Sequence, residues 1–437
     1  MYRGLRLCSA LAGGAVALAA LAVAVPAAAD PATAVAYPAG ASATQYSGLA
    51  FDTCTAPPLA AISAWGASPY RAIGIYIGGV NRTCGQPQLT AGWVTAVAKL
   101  KWRLLPVYKG LQPPCGGKAT DKKIIPAQAA GQGTAAADDA IAKATALGLR
   151  PGSAFYNDIE NYTRTDAACR TATATYLSAW TRELHRLGYV AGVYANLGSG
   201  APDLSGTYSS AAYARPDALW IARYDGSPAL TGWAGVPNGQ WAAHQRAKQY
   251  RGTHNEAYGG VTISIDSDNL DAPAATVAYG YTVTSSSALN ARTGPSTSYP
   301  VARAYPAKST VPVACQAPGS AVATTRVWDK LTTGAYVTDY YVSTPSSTGY
   351  SAPLPRCSYP YQVTAASGIS VRTGPGASYP VAATLPSGAL AWVTCQAPGS
   401  LVHTTKVWDK MTDGRWATDY YVATHSKTTY TQPIPRC

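Results

Sequence analysis

The chain has 437 residues, with 34 Lys or Arg against 21 Asp or Glu and a formal net charge of +13. Charged residues make up 13% and hydrophobic residues 47%, which excludes a disordered chain and argues against a bulk nucleic-acid binder. The length provides for two or more domains, and any mechanism that needs a glutamate must choose among Glu160, Glu183 and Glu256.

Residues 1–29 have the form of a cleaved secretory signal: Arg3 and Arg6, an apolar run from Leu7 to Val25, then Ala27-Ala28-Ala29 before Asp30. An uncleaved anchor is the alternative, because the run approaches spanning length. Residues 30–45 read as a low-complexity linker. No membrane span is expected after signal cleavage, so the mature chain is expected to be secreted, extracellular or associated with the cell wall. Cys8 leaves with the signal, and eight cysteines in an exported chain predict four disulfides rather than metal sites. There is no C-x-x-C or H-E-x-x-H, and the five His do not cluster, so neither a metal nor a cofactor is expected. Full oxidation would also exclude a Cys nucleophile.

Residues 46–278 alternate strands and helices. Strands are predicted at Gly48–Asp52, Ala72–Gly78, Arg103–Tyr108, Ala154–Glu160, Val190–Asn196, Ala218–Asp225, Gln240–Tyr250 and Val261–Asp268. Helices are predicted at Leu89–Leu100, at Ala135–Gly148 with its glycine stop, and at Arg170–Gly188 with an apolar stripe. This alternation predicts an α/β fold, a (β/α)8 TIM-like barrel, with a doubly wound sheet as the alternative. The cysteines here pair most simply as Cys54–Cys84 and Cys115–Cys169.

Catalytic side chains of such barrels stand at the carboxyl ends of strands. Among these strands, the first ends in Asp52, the fourth in Asp158 and Glu160, and the eighth in Asp266 and Asp268. Positions 158 and 160 share one face of a strand, and neighbouring carboxylates push their pKa values apart, which leaves one of them a proton donor near neutral pH. Each acid also has a structural reading. Asp52 suits a turn, Asp158 and Glu160 a salt bridge to an Arg, and Asp268 and Asp271 a loop or cap. Glu183 reads as a solvated helix face and Glu256 as a loop acid, which leaves Glu160 as the glutamate placed for catalysis.

From residue 279 onward the chain repeats. Tyr281–Cys357 returns as Tyr361–Cys437 at an offset of 80 without a gap, giving repeats over 279–357 and 358–437. Alternating apolar residues with frequent Gly/Pro turns predict a small all-β module, closed in each copy by one bridge, Cys315–Cys357 and Cys395–Cys437. The two copies carry 12 Lys or Arg against 5 Asp.

"LNARTGPSTSYPV" (Leu289–Val301) and "ISVRTGPGASYPV" (Ile369–Val381), each followed by a "VWDK" strand, resemble bacterial SH3-like domains. That resemblance implies small SH3-like barrels that dock an exported enzyme on the bacterial wall. Trp328, Tyr340, Tyr341, Trp408, Trp416, Tyr420 and Tyr421 are candidates for the docking surface, although most also suit core packing.

Asp52, the D-I-E strand and Lys248–Leu270 resemble the family-25 glycoside hydrolases, lysozyme-type muramidases with a TIM-like barrel. More closely, "GLAFDTCTAP", "YRAIGIYIGG", "NDIENY", "LWIARYDG" and "YGGVTISIDSDNLD" resemble the glycoside-hydrolase-like domain of unknown function of actinobacterial secreted proteins. Carried across, the resemblance implies that Glu160 protonates the leaving oxygen, with Asp158, Asp52 and Asp266 as its partner acids. It places Tyr224, Gln249 and Tyr250 along the cleft, where Trp220 and Trp241 also suit sugar stacking. The chain departs from family 25 after the second strand, at "IYIGGVNRTC", and after Asp52, at "TCTAP", so contacts there differ.

The expected function is therefore a monomeric, secreted glycoside hydrolase acting on a peptidoglycan-type wall polymer. The alternative is a non-catalytic wall-binding or remodelling protein built on a degenerate barrel. A wall peptidase lacks the Cys/His pair or zinc set it would need.

Overall fold

The structure, a computed structural model, describes Met1 and residues 44–437 other than Ala243, Pro353 and Pro433. The expected signal and nearly all of the linker lie outside the described residues. Among the described residues, no helix is long and apolar enough to cross a membrane.

Eight strands close into one barrel. Seven run parallel in chain order: β1 (Thr44–Thr53), β2 (Ala72–Gly78), β3 (Arg103–Tyr108), β4 (Ala154–Ile159), β5 (Val190–Asn196), β6 (Ala218–Ala222) and β7 (Arg246–Tyr258). The eighth, β8 (Val261–Ala274), lies antiparallel to both β7 and β1 and closes the ring. Five helices follow the first five strands: α1 (Leu59–Ala64), α2 (Ala91–Lys99), α3 (Ala129–Ala146), α4 (Ala167–Arg186) and α5 (Gly200–Gly206). Side-chain caps start two of them, Thr90 accepting from Trp93 N–H at 3.1 Å and Asp166 from Cys169 N–H at 3.0 Å.

The expected run of eight βα units is thus corrected. No helix separates β6 from β7 among the described residues, and only Gly259 and Gly260 separate β7 from β8. A two-residue link can join antiparallel strands but not a parallel pair, which needs a crossover of about a dozen residues. Both glycines have positive φ, 57° and 78°, as a tight hairpin turn requires. The segment 269–274, whose Asn, Asp and Pro suit a loop, is strand as well, because Asn269 and Asp271 pair with Leu49 and Ser47 on one side and Lys248 and Arg246 on the other. Pairing on both edges overrides the local preference.

Each repeat folds as a six-stranded antiparallel sheet, β9–β14 between Tyr279 and Thr338 and β15–β20 between Tyr359 and Thr418. The disulfides are Cys54–Cys84, Cys115–Cys169, Cys315–Cys357 and Cys395–Cys437, with Cα–Cα separations of 5.7, 5.9, 5.0 and 5.0 Å. Of the docking candidates, Trp328 and Trp408 are buried and donate their indole N–H to Ser320 and Ser400 carbonyls, whereas Tyr341 is exposed. A second duplicated feature is internal. Gln316 Nε2 donates to Asp329 and Asp339, both at 2.9 Å, and Gln396 Nε2 to Asp409 and Asp419 at 2.8 and 2.9 Å.

The second repeat also completes the barrel. Leu390 and Trp392, each 1% exposed, pack in one apolar cluster with Ala72, Ala154, Tyr156, Ala218 and Ala272, at the end of the barrel where the parallel strands begin. Leu390 N–H donates to Gln245 at 3.2 Å, and Gln45 donates to Thr412 at 2.7 Å. The matching positions of the first repeat are Thr310, exposed, and Pro312, half-buried. The copies therefore differ where one of them floors the barrel. Trp392→Ala should lower unfolding stability by about 3–5 kcal/mol in denaturant titration. Pro312→Ala should change it by no more than about 1 kcal/mol.

Candidate active site

The opposite end of the barrel gathers the acids. Asp52 ends β1 and is buried; in register it faces Asp266 of β8, as Ala50 faces Asp268. The approach is close because Gly74 has no side chain. A Cβ there would stand 2.5 Å from Asp52 Cβ and 3.0 Å from the Trp220 ring. Gln249 ties the group together: its amide nitrogen donates to Asp52 and, at 3.3 Å, to Asp266. Its amide oxygen accepts from Tyr194 and Tyr224 hydroxyls at 2.7 and 2.9 Å, which fixes its orientation. Beneath them Asp268, fully buried, accepts from Trp220 Nε1 at 3.0 Å.

Burial, and then the charge of Asp266, pushes the Asp52 carboxyl up to about 8. Burial, reinforced by Asp52, holds Asp268 well above the ordinary carboxylate range. Burial raises Asp266 as well. Carboxylates this close in a dry site cannot all ionise, so they share protons.

A second group stands on β4. Asp158 is buried with one oxygen 3.2 Å from Lys109 Nζ, and the same ammonium pairs with the partly exposed Glu160. Burial raises Asp158 to about 6; Lys109 opposes that rise and Glu160 adds to it. Gln112 buckles the strand end, donating to the Asp158 carbonyl at 2.7 Å and accepting from Glu160 N–H at 2.8 Å. The salt bridge expected from an arginine comes instead from Lys109, directly after β3. Neither Lys109 nor Gln112 belongs to a motif in the sequence; their places at and just beyond the end of the third strand are the only cue. Tyr76 lies within the field of both groups, and burial followed by Asp158, Asp52 and Glu160 holds its phenol well above the usual range.

The remaining candidates divide. Tyr224 is 62% exposed beside the mouth, and Tyr250 lies on the hairpin side near Tyr70 and Tyr258. Trp220 forms the floor beneath the acids, edge-on to Tyr156 and Tyr194, and does not reach solvent. Trp241 is away from the mouth: fully buried against Tyr208, it donates to the Pro216 carbonyl at 2.8 Å. Asp268, expected at the end of the eighth strand with a loop or cap as the alternative, lies within β8 and is fully buried. Glu256, also expected in a loop, is on β7, where it accepts from Tyr70, His254 and Tyr258. Glu183, expected on a solvated face, is buried beside Arg186, whose hydrogen bonds hold its carboxyl below the usual range. No group of three or more His, Cys, Asp or Glu among the described residues is arranged to hold a metal.

Residues 63–270, a little under half of the chain, match the model of one protein family. The family whose model they match is described as the Rv2525c-like, glycoside hydrolase-like domain. Among solved structures, the chain is similar to the Tat-secreted protein Rv2525c of Mycobacterium tuberculosis, in complex with L-tartrate, at 15% identity. That match covers 52% of this chain and 96% of that one, with a TM-score of 0.38. It is similar also to the bacterial lysozyme of Streptomyces coelicolor, at 16% identity over 52% and 92% of the two chains and a TM-score of 0.33. A third is a family 25 glycosyl hydrolase of Bacillus anthracis, at 14% identity over 52% and 89% and a TM-score of 0.33. No curated protein matches the chain.

The raised carboxyls set a pH dependence. The folded state keeps protons on Asp52 and Asp268 that the unfolded chain releases near pH 4, so stability is full below that value and falls as pH rises toward about 8. The slope is at most about 1.4 kcal/mol per pH unit for each such group. Melting temperatures measured from pH 4 to 8 should fall, and Asp52→Asn should flatten the fall. A residual slope is expected from the Asp pairs of the repeats, which burial shifts in the same direction.

Proposed function

We propose that the chain is an exported glycoside hydrolase acting on a bacterial cell-wall glycan of the peptidoglycan type, with Glu160 as general acid. The barrel is a TIM-like variant closed by a hairpin, and the repeats are SH3-like modules that hold it to the wall. The observation that carries this reading is the meeting of Asp52, Asp158, Glu160 and Asp266 at one mouth, with Glu160 the member on β4 that solvent reaches. Glu160 would protonate the leaving oxygen. Asp266, half-buried and backed by Asp52 through Gln249, would face the developing oxocarbenium ion. The exposed Tyr224 ring suits stacking on a sugar face.

Lys109 sets the working condition. Its ammonium is shared between Glu160 and Asp158, the latter 3.2 Å away, so the proposed acid and its strand partner are held by one cation. That pairing also favours the second reading, a wall-binding protein whose barrel holds glycan without cutting it. The second repeat floors the barrel, so removing 279–437 would disturb both wall binding and the barrel. Point substitutions separate the two roles better.

Digestion of purified walls tests both readings. Wild type should release new reducing ends, and Glu160→Gln should release them at least about 100-fold more slowly while pelleting equally with walls. Pelleting without release by wild type would leave the binding reading. Lys109→Met should move the alkaline limb of the pH–rate profile to higher pH, because carboxyls at the mouth then stay protonated further up the scale.

A further inference from the structure

At the far end of the barrel from the acids, the barrel and both repeats enclose a cavity of about 570 Å³. Three cationic side chains line it: Arg103 from the start of β3, Arg356 from the end of the first repeat, and Lys410 from the second. No acidic side chain lines it, and the other polar groups include Gln45, Ser358 and Thr394. The walls are well held. Gln45 is bonded to Thr412, the Arg356 guanidinium lies 3.2 Å from the centroid of the Tyr350 ring, and Thr394 donates to the Lys410 carbonyl at 3.0 Å.

The repeat supplies its own control. Lys330, which matches Lys410 in the first copy, is buried over the Tyr359 ring at 4.9 Å, and burial lowers it to about 7. That cover comes from Tyr359 of the second repeat, so it is the junction between the copies that hides this lysine. Lys410 lies 5.6 Å from the Trp416 ring centroid, as Lys330 lies 5.8 Å from Tyr336, but it is only half-buried and lines the cavity with two arginines. Cations drawn from three separate segments into one partly enclosed space repel one another and focus a positive field. Arg with Lys is also the donor set that suits phosphate oxygens.

We propose that this cavity is a binding site for a multiply charged oxyanion of the phosphate class. Arg356 and Lys410 are its principal ligands, and Arg103 lies at its barrel side. None of the mouth residues takes part, so the site stands whether or not the barrel cleaves glycan.

Titration calorimetry of the mature chain with inorganic pyrophosphate at low salt provides the test. Wild type should bind one equivalent saturably, with affinity falling steeply as salt is raised. Arg356→Gln/Lys410→Gln should weaken binding at least tenfold, with the circular dichroism and melting temperature of the free protein unchanged. Thr394→Glu, which adds an acid without removing a cation, should weaken it as much. Citrate, a carboxylate of comparable charge, should bind at least tenfold more weakly than pyrophosphate. Absence of saturable binding by wild type, undiminished binding by both well-folded variants, or citrate binding as tightly as pyrophosphate would overturn the proposal.

Discussion

The arrangement of the mouth depends on the two-glycine turn between β7 and β8. Gly259 and Gly260 reverse the chain within two residues, so the last strand enters the ring against the direction of the other seven. A strand running in that sense presents its beginning, not its end, to the mouth. Asp266 and Asp268, early in β8, are thereby laid beside Asp52 and Ala50 of β1. Closure of the barrel and assembly of the acid cluster are one event. The crowding it produces is relieved by absence on one side, where Gly74 has no side chain, and by donors on the other, the indole of Trp220 and the amide of Gln249.

The two halves of the mouth manage negative charge differently. On the β1–β8 side no Lys or Arg among the described residues ion-pairs with Asp52, Asp266 or Asp268; burial makes them hold protons, and neutral donors orient them. On the β4 side a single ammonium serves two carboxylates. One half is therefore rich in bound protons and the other in compensated charge.

Much of this was legible in the sequence. β2, β3 and β5 match their predicted limits, because their apolar β-branched runs are bounded by Gly, Lys or Asn and buried on both faces. Asp52, Asp158 and Glu160 were visible as acids at the ends of apolar runs, whereas Asp266, expected at a strand end, lies early in a longer β8. The direction of β8 was carried by "AYGGV", a hairpin signal overshadowed by the expectation of a helix after every strand. The predicted strand stopped at Asp268 because the Asn, Asp and Pro that follow favour turns, and only the pairing on both edges of β8 holds them extended. Lys109 carried no local pattern at all; its role is created by the chain folding β3 beside β4. The divergence of Leu390 and Trp392 from Thr310 and Pro312 was visible in the repeat, and its meaning needed the barrel floor to be in place.

That floor has a consequence for how the molecule is made. Leu390 and Trp392 seal a ring whose last strand ends at Ala274, so the ring's interior stays open to water until a module far downstream has been synthesised and folded. Contacts of such long sequence separation form late and slow the approach to the native state. The same dependence makes the tail a point of vulnerability: a single proteolytic cut between the barrel and the second repeat would loosen the ring as well as release the module.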